Sequence, residues 1–252
     1  MSLRLEINGP LAHLLIDRAD KKNAMTLAMW EAVPDLLIKA LSDPTVRAFE
    51  LTAADPEAAF CAGADIAEML AHKDDPQWLA RKQAAINRAQ HMLTRLPVPS
   101  VAFVNGDCIG GGAGLAMACD IRVAAVRARF GITPAKLGLV YPRHDVKLLT
   151  DLVGPGQARR LLYTGALIGA DEAQRIALVE EIAASSTALI EAILAASPTS
   201  QSAAKAFVRY VLDGATGDDE ASLKIFAEAF TKPDFAEGAR AFTQKRKPRF
   251  GR

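Results

Sequence analysis

Apolar and polar residues alternate through MSLRLEINGPLAHLLIDRAD around a Gly-Pro turn, and this period predicts a β-hairpin at the start of the chain. Strand-like stretches fall at Arg4–Ile7, His13–Asp17, Ala48–Thr52, Ser100–Val104 and Ile121–Ala125. Helical spacing takes over between them. Thr26–Ser42 repeats apolar residues every three or four positions and opens on Thr26, a good N-cap. Trp78–Leu96 does the same and is closed by Pro97 and Pro99. Strands alternating with helices predict an α/β core with crossover connections.

Past Arg143 the strand pattern thins out. Helical periodicity predicts segments at Asp145–Val153, Gln157–Thr164, Ala170–Leu178, Ser186–Ala196, Ser200–Asp213, Asp218–Phe230 and Phe235–Arg246. A helical C-terminal region therefore follows the α/β core, without an internal repeat of fixed period.

Composition narrows the function classes. The 252 residues are 50% hydrophobic and carry a formal net charge of +1, with 6% aromatics. Neither the charge nor the aromatic content suits a nucleic-acid surface. No apolar run approaches the roughly 20 residues of a membrane helix, and the opening hairpin is not a signal peptide. The expectation is a soluble, cytoplasmic protein. Cys61, Cys108 and Cys119 are not spaced as metal pairs, and they fit reduced core thiols.

Two glycine-containing stretches invite chemistry. AFCAGADI (Ala59–Ile66) follows the strand-like AFELTA, and CIGGGAGLAMACD (Cys108–Asp120) follows VPSVAFVNG. A strand running through glycine into a helix start presents bare N–H groups to an anion. Two such turns aimed at one oxygen would form an oxyanion hole. The competing reading is tight helix–sheet packing. The glycines match neither G-x-G-x-x-G nor a phosphate loop with its lysine.

These stretches, with RADKKNAMT (Arg18–Thr26), ARFGITPAKLGL (Ala128–Leu139) and AFTQKRKPRF (Ala241–Phe250), resemble the crotonase, or enoyl-CoA hydratase/isomerase, superfamily along nearly the whole chain. The resemblance implies a ββα-spiral core over 1–195 and a helical trimerisation region over 196–252. It implies a homotrimer or a dimer of trimers. It implies an acyl-CoA thioester as partner, with coenzyme A entering as part of the substrate and no separate cofactor or metal. It places the thioester oxygen between the N–H groups of Ala62 and Gly111. It places coenzyme A against Lys22, Ala24, Ala62, Gly63, Ala64 and Asp65, with Phe242 and Lys245 reaching a neighbouring subunit's ligand. For Lys245, a solvated basic tail is the plain alternative.

The pattern also breaks. The hydratases resembled carry two glutamates, and at their positions this chain has Gly114 and Pro134. Thr133 and Tyr141, in TPAKLGLVYPRHD, resemble the methylmalonyl-CoA decarboxylase branch, whose thioester neighbours orient a carboxylate. That branch has a histidine at Ala64 and a glutamate at Gly114, so the likeness is partial. His144 and Asp145 could supply a proton, but neighbours on a helix do not face each other. Asp145 reads as the N-cap of a helix from Val146, and Asp65 as a local backbone acceptor. The polar loop Ala71–Gln77 is expected to be mobile and to shape the acyl pocket. Two functions remain: an enolate-stabilising acyl-CoA enzyme, hydratase/isomerase-like or decarboxylase-like, and a catalytically silent acyl-CoA binder.

Overall fold

The computed structural model describes residues 2–251, so Arg252 of the basic tail lies outside it. The strands are β1 (Leu3–Asn8), β2 (Leu11–Ile16), β3 (Ala48–Ala53), β4 (Ser100–Val104), β5 (Asp107–Ile109), β6 (Ile121–Ala124), β7 (Arg129–Gly131), β8 (Leu167–Gly169) and β9 (Glu181–Ile182). The helices are α1 (Leu27–Leu41), α2 (Ile66–Ala71), α3 (Pro76–Thr94), α4 (Gly111–Ala118), α5 (Arg143–Thr164), α6 (Ala170–Arg175), α7 (Thr187–Ala195), α8 (Pro198–Leu212), α9 (Glu220–Ala229) and α10 (Pro233–Thr243).

The main sheet has the order β1-β2-β3-β4-β6-β9. β1 and β2 form the expected antiparallel hairpin, turned at Gly9, where φ is 58°. From β2 onward each pair is parallel. Ala12, Leu14 and Ile16 of β2 face inward, as the alternation requires. A second, three-stranded sheet has the order β5-β7-β8. Its strands are too short for sequence periodicity to reveal.

The core gathers Trp30, Phe49, Phe60, Leu51, Leu93 and Leu115 between sheet and helices. Each fully buried large apolar side chain contributes roughly 1.5–3 kcal/mol. Arg122 is buried too; it donates to the carbonyls of Leu178 and Cys119 and pairs with Glu180, tying β6 to the segment entering β9.

Thr26 caps α1 as expected, accepting from the Met29 amide at 3.3 Å. Two expectations change. The helix expected from Asp145 begins at Arg143, so Asp145 sits in its first turn and is not a cap. That helix runs on to Thr164, broken at Gly154, where φ is 70° and ψ is 166°. In the loop before α3, Asp75 caps Gln77 and Trp78, and the ring of His72 stacks on Trp78 at 4.7 Å.

Beyond residue 196, Ala241 and Ser222 are the buried residues among those described. Helices α8–α10 instead expose Val211, Phe226, Phe230, Phe235 and Phe242. No helix of the described residues is long and apolar enough to cross a membrane.

Candidate active site

β3 and β4 are parallel neighbours, so their carboxyl ends deliver the two glycine segments to one place. The segments are laced together: Cys61 N donates to Asp107 O at 3.0 Å and Ile109 N to Cys61 O at 2.9 Å. Close approach fixes the residue types. A Cβ on Gly112 would collide with the Cys61 carbonyl. Gly63, at φ 95°, lies so near the next turn that a Cβ there would stand 2.8 Å from Ile109 O and 3.3 Å from Gly111 N.

A tally of amides then separates the candidates. Ala62 N donates to Lys22 O at 3.0 Å, and Asp65 N to Met25 O at 3.0 Å. The amides of Ala64 and Gly111 have no acceptor among the described residues. They are also adjacent, since a Cβ on Gly111 would lie 3.7 Å from Ala64 N. The expectation for Ala62 is therefore corrected: its N–H is occupied, and Ala64, two residues on, faces Gly111.

Gly110 holds this corner at φ 53°. Its N–H donates to Gly131 O at 2.8 Å, and its carbonyl accepts from the Tyr141 hydroxyl at 2.9 Å. Tyr141 is buried, which pushes its phenol well above the ordinary value. It braces the turn before Gly111, and its proton points at a backbone oxygen. Thr133 lines the same cavity.

Asp145 projects from the first turn of α5 onto α4. It is buried, and its Oδ1 accepts from Gln90 Nε2 at 2.7 Å. A Cβ on Gly114 would collide with both of those atoms. Burial raises the Asp145 carboxyl to about 6, against the opposing pull of the Gln90 bond. His144 points elsewhere; its Nε2 is buried without a partner, and burial lowers its pKa.

Trp30, Ala62, Gly63, Ala64, Gly111, Thr133, Tyr141 and Asp145 enclose a cavity of about 220 Å³, with Lys82, Ile86 and Gln90 of α3 on its far wall. Amides, carboxyl and cavity thus coincide. A roomier hollow of about 410 Å³ lies between α8 and β6 and holds none of these groups.

The other expected residues fall around or away from it. Lys22, at φ 51°, and Ala24 run beside the site, with Ala24 O accepting from Arg18 Nη1 at 2.9 Å and a β-bridge joining Met25 to Ala64. Asp65 accepts from Arg18 at 2.8 Å and caps α2 through Glu68 N at 3.1 Å; the Arg18 bond holds its carboxyl below the usual range. Phe242 and Lys245 lie on α10 and just after it, and neither lines the cavity. Cys61 is fully buried and its thiol is pushed up to about 12, which disqualifies it as a nucleophile.

Gln90 and the Ala64 amide are the additions that sequence reasoning missed; the sequence offers Asp145 as a proton carrier beside His144 but reads it as a helix cap. Gln90 and Asp145 are 55 positions apart, and nothing in local spacing joins them.

The profile of the enoyl-CoA hydratase/isomerase family matches residues 6–252. A crotonyl-CoA hydratase from Syntrophomonas wolfei is 34% identical, over 98% of this chain and 96% of its own length. A short-chain-enoyl-CoA hydratase from Clostridium acetobutylicum is 34% identical, over 96% of this chain and 95% of its own. The crystal structure of an enoyl-CoA hydratase/isomerase family protein from Hyphomonas neptunium shares this α/β fold, with a TM-score of 0.93 at 36% identity, covering 100% of this chain and 98% of that one.

Proposed function

Because the chain belongs to the enoyl-CoA hydratase/isomerase family, we propose that it shifts the double bond of an enoyl-CoA thioester, using Asp145 as its one proton carrier. The thioester oxygen sits between the N–H groups of Ala64 and Gly111. Hydrogen bonds there strengthen as the oxygen gains charge, and each such donor is worth about 3 kcal/mol of barrier.

The reaction closes with one carboxyl. The Asp145 carboxylate takes a proton from the carbon beside the thioester carbonyl of a 3-enoyl substrate. The electron pair moves into a dienolate held by the two amides. The protonated Asp145 then returns the same proton at the far end of the dienolate, giving the 2-enoyl thioester and restoring the carboxylate. A carboxyl near 6 is suited to both halves at neutral pH. Water addition by the familiar route would ask for two carboxyls, and positions 114 and 134 supply none. The single observation carrying the reading is Asp145, buried against Gly114 in the cavity that holds the free amides.

Decarboxylation would need a free Tyr141 proton, and that proton is donated to Gly110 O. A silent binder would need no buried titratable group in this place. Coenzyme A follows the Met25–Ala64 bridge past Ala24, Gly63 and Asp65, with exposed Lys22 near its phosphates. Phe242 and Lys245 serve a neighbouring subunit of a homotrimer or a dimer of trimers.

The test is turnover of 3-hexenoyl-CoA, followed by ultraviolet absorbance of the conjugated product. Asp145→Asn is expected to lower kcat by about 100- to 10,000-fold while leaving butyryl-CoA affinity intact. Wild-type turnover by that variant would refute the reading. Hydration of crotonyl-CoA outpacing isomerisation would assign water addition to Asp145 instead.

A further inference from the structure

Lys82 is a charged feature of the cavity that proton transfer leaves without a task. It lies on α3, is 5% exposed, and faces the same cavity as Gly111 and Asp145. Its ammonium has no hydrogen-bond partner. The nearest carboxylate, Glu68, stands 3.6 Å away. Both Glu68 oxygens instead accept from the Leu27 amide, at 3.2 and 3.0 Å, where Glu68 offsets the positive end of α1. The face of Trp78 covers the ammonium at 4.7 Å. Burial accordingly lowers the Lys82 pKa, with Glu68 opposing.

A buried cation whose nearest carboxylate stands beyond hydrogen-bond distance is costly, and a purely structural lysine would be fully hydrogen-bonded. The geometry points to an acceptor brought by the substrate. Leu79, Lys82, Ile86 and Gln90 share one face of α3, the face that walls the cavity. Lys82 is two turns from Gln90, about 12 Å along the axis, and Gln90 touches the carboxyl that would do the chemistry. The apolar Ile86 lies between them, and Leu79 lies one turn beyond Lys82.

We propose that Lys82 is a specificity-determining residue, binding a second carboxylate at the far end of the acyl chain, so that the substrate is a dicarboxylic acid monothioester of coenzyme A. This rests on the acyl-CoA reading above. The ammonium would meet the distal carboxylate by charge-assisted hydrogen bonds, and the apolar wall would carry the methylenes.

The test separates binding from turnover. Calorimetry on the intact wild-type protein compares unreactive saturated thioesters: glutaryl-, adipyl- and suberyl-CoA, each against the monocarboxylic acyl-CoA of equal chain length. At least one dicarboxylic member should bind about tenfold tighter or more, the scale of one charged hydrogen bond. Lys82→Met should erase that difference while binding the apolar partner as well as or better than wild type. If no dicarboxylic thioester outcompetes its apolar counterpart in the wild-type protein, the inference is overturned whatever the variant does. If the dicarboxylic preference and its loss in Lys82→Met are seen, but neither 3-hexenoyl-CoA nor its dicarboxylic counterpart 3-hexenedioyl-CoA is isomerised, the Lys82 inference stands on its own comparison and the isomerase reading falls.

Discussion

The carboxyl of Asp145 occupies the space that a side chain at Gly114 would need: a Cβ there would strike Asp145 Oδ1 and its partner Gln90 Nε2. The glycine is thus the complement of the aspartate. Gly114→Ala should therefore displace the carboxyl. We expect a loss of about 1–3 kcal/mol in stability from overpacking and a fall in kcat larger than any change in thioester affinity. Denaturant unfolding and steady-state kinetics would check both. Unchanged kcat in a folded Gly114→Ala protein would mean that Asp145 does not need its present position.

Asp145 also makes a prediction about stability and pH. Its carboxyl titrates at about 6 in the fold against an ordinary 3.8. The folded protein thus holds a proton that the unfolded chain gives up between those values. Stability from that proton is fully present below the ordinary value and is lost as pH rises through about 6. The full difference is roughly 3 kcal/mol for two pKa units. Asp145→Asn, which keeps the shape, should remove this dependence and be the more stable protein at pH 8 but not at pH 4. Urea melts of both proteins at the two pH values measure it. The enzyme would then be giving up stability for a buried acid at its site.

Gly111 tests the amide pair. A Cβ there would lie 3.2 Å from Trp30 Cζ2 and 3.7 Å from Ala64 N, at the mouth of the gap between the two N–H groups. Gly111→Ala should lower kcat by about 100- to 1,000-fold, the scale of a lost oxyanion donor. Shrinking the neighbour in Gly111→Ala/Trp30→Phe should relieve packing strain without restoring turnover, because the methyl still crowds the oxygen. Recovery of activity in the double variant would show that packing, and not the hole, was damaged.

Much of this was legible in the chain. The hairpin, α1 with its Thr26 cap, and the two glycine segments follow from local patterns, because their causes are local: alternation, helical spacing, and capping. The resemblance carried the fold. What escaped was set by contacts distant in sequence. Ala62 and Ala64 are both small residues after a strand, and their difference is that Lys22 O claims one amide and leaves the other. Asp145 in sequence looks like a cap, because the helix start two residues earlier at Arg143 depends on Pro142 and not on a polar side chain. Nothing in the local sequence singles out Lys82; its role depends on Trp78 and the cavity wall, which come together only in the fold.

The three thiols give a cheap check on burial. Cys61, Cys108 and Cys119 are all buried; burial raises Cys61 and Cys119 to about 12 and pushes Cys108 well above its ordinary value. Thiolate is the reactive form. Iodoacetamide at pH 8 should leave the native protein unlabelled and label it fully after denaturation, as read by intact mass. Labelling of native Cys61 would place it in an accessible site and reopen it as a nucleophile.

The C-terminal helices bear on assembly. Phe226, Phe230 and Phe235 meet edge to face at 5.5 and 5.3 Å between centroids, yet all are more than half exposed. An aromatic cluster left that open in one chain is a surface that a partner would cover. If the partner is another copy, as a trimer requires, charge in the cluster must break the contact at little cost to the single chain, because the residues are already in water there. Phe226→Asp/Phe230→Asp should shift the protein from trimer or hexamer to monomer in sedimentation equilibrium, with the circular dichroism of the α/β core retained. Loss of turnover in that folded monomer would show that the site needs a neighbouring subunit, as the Phe242 and Lys245 reading requires. A wild-type protein that sediments as a monomer would leave the aromatic surface to some other contact and remove the shared site.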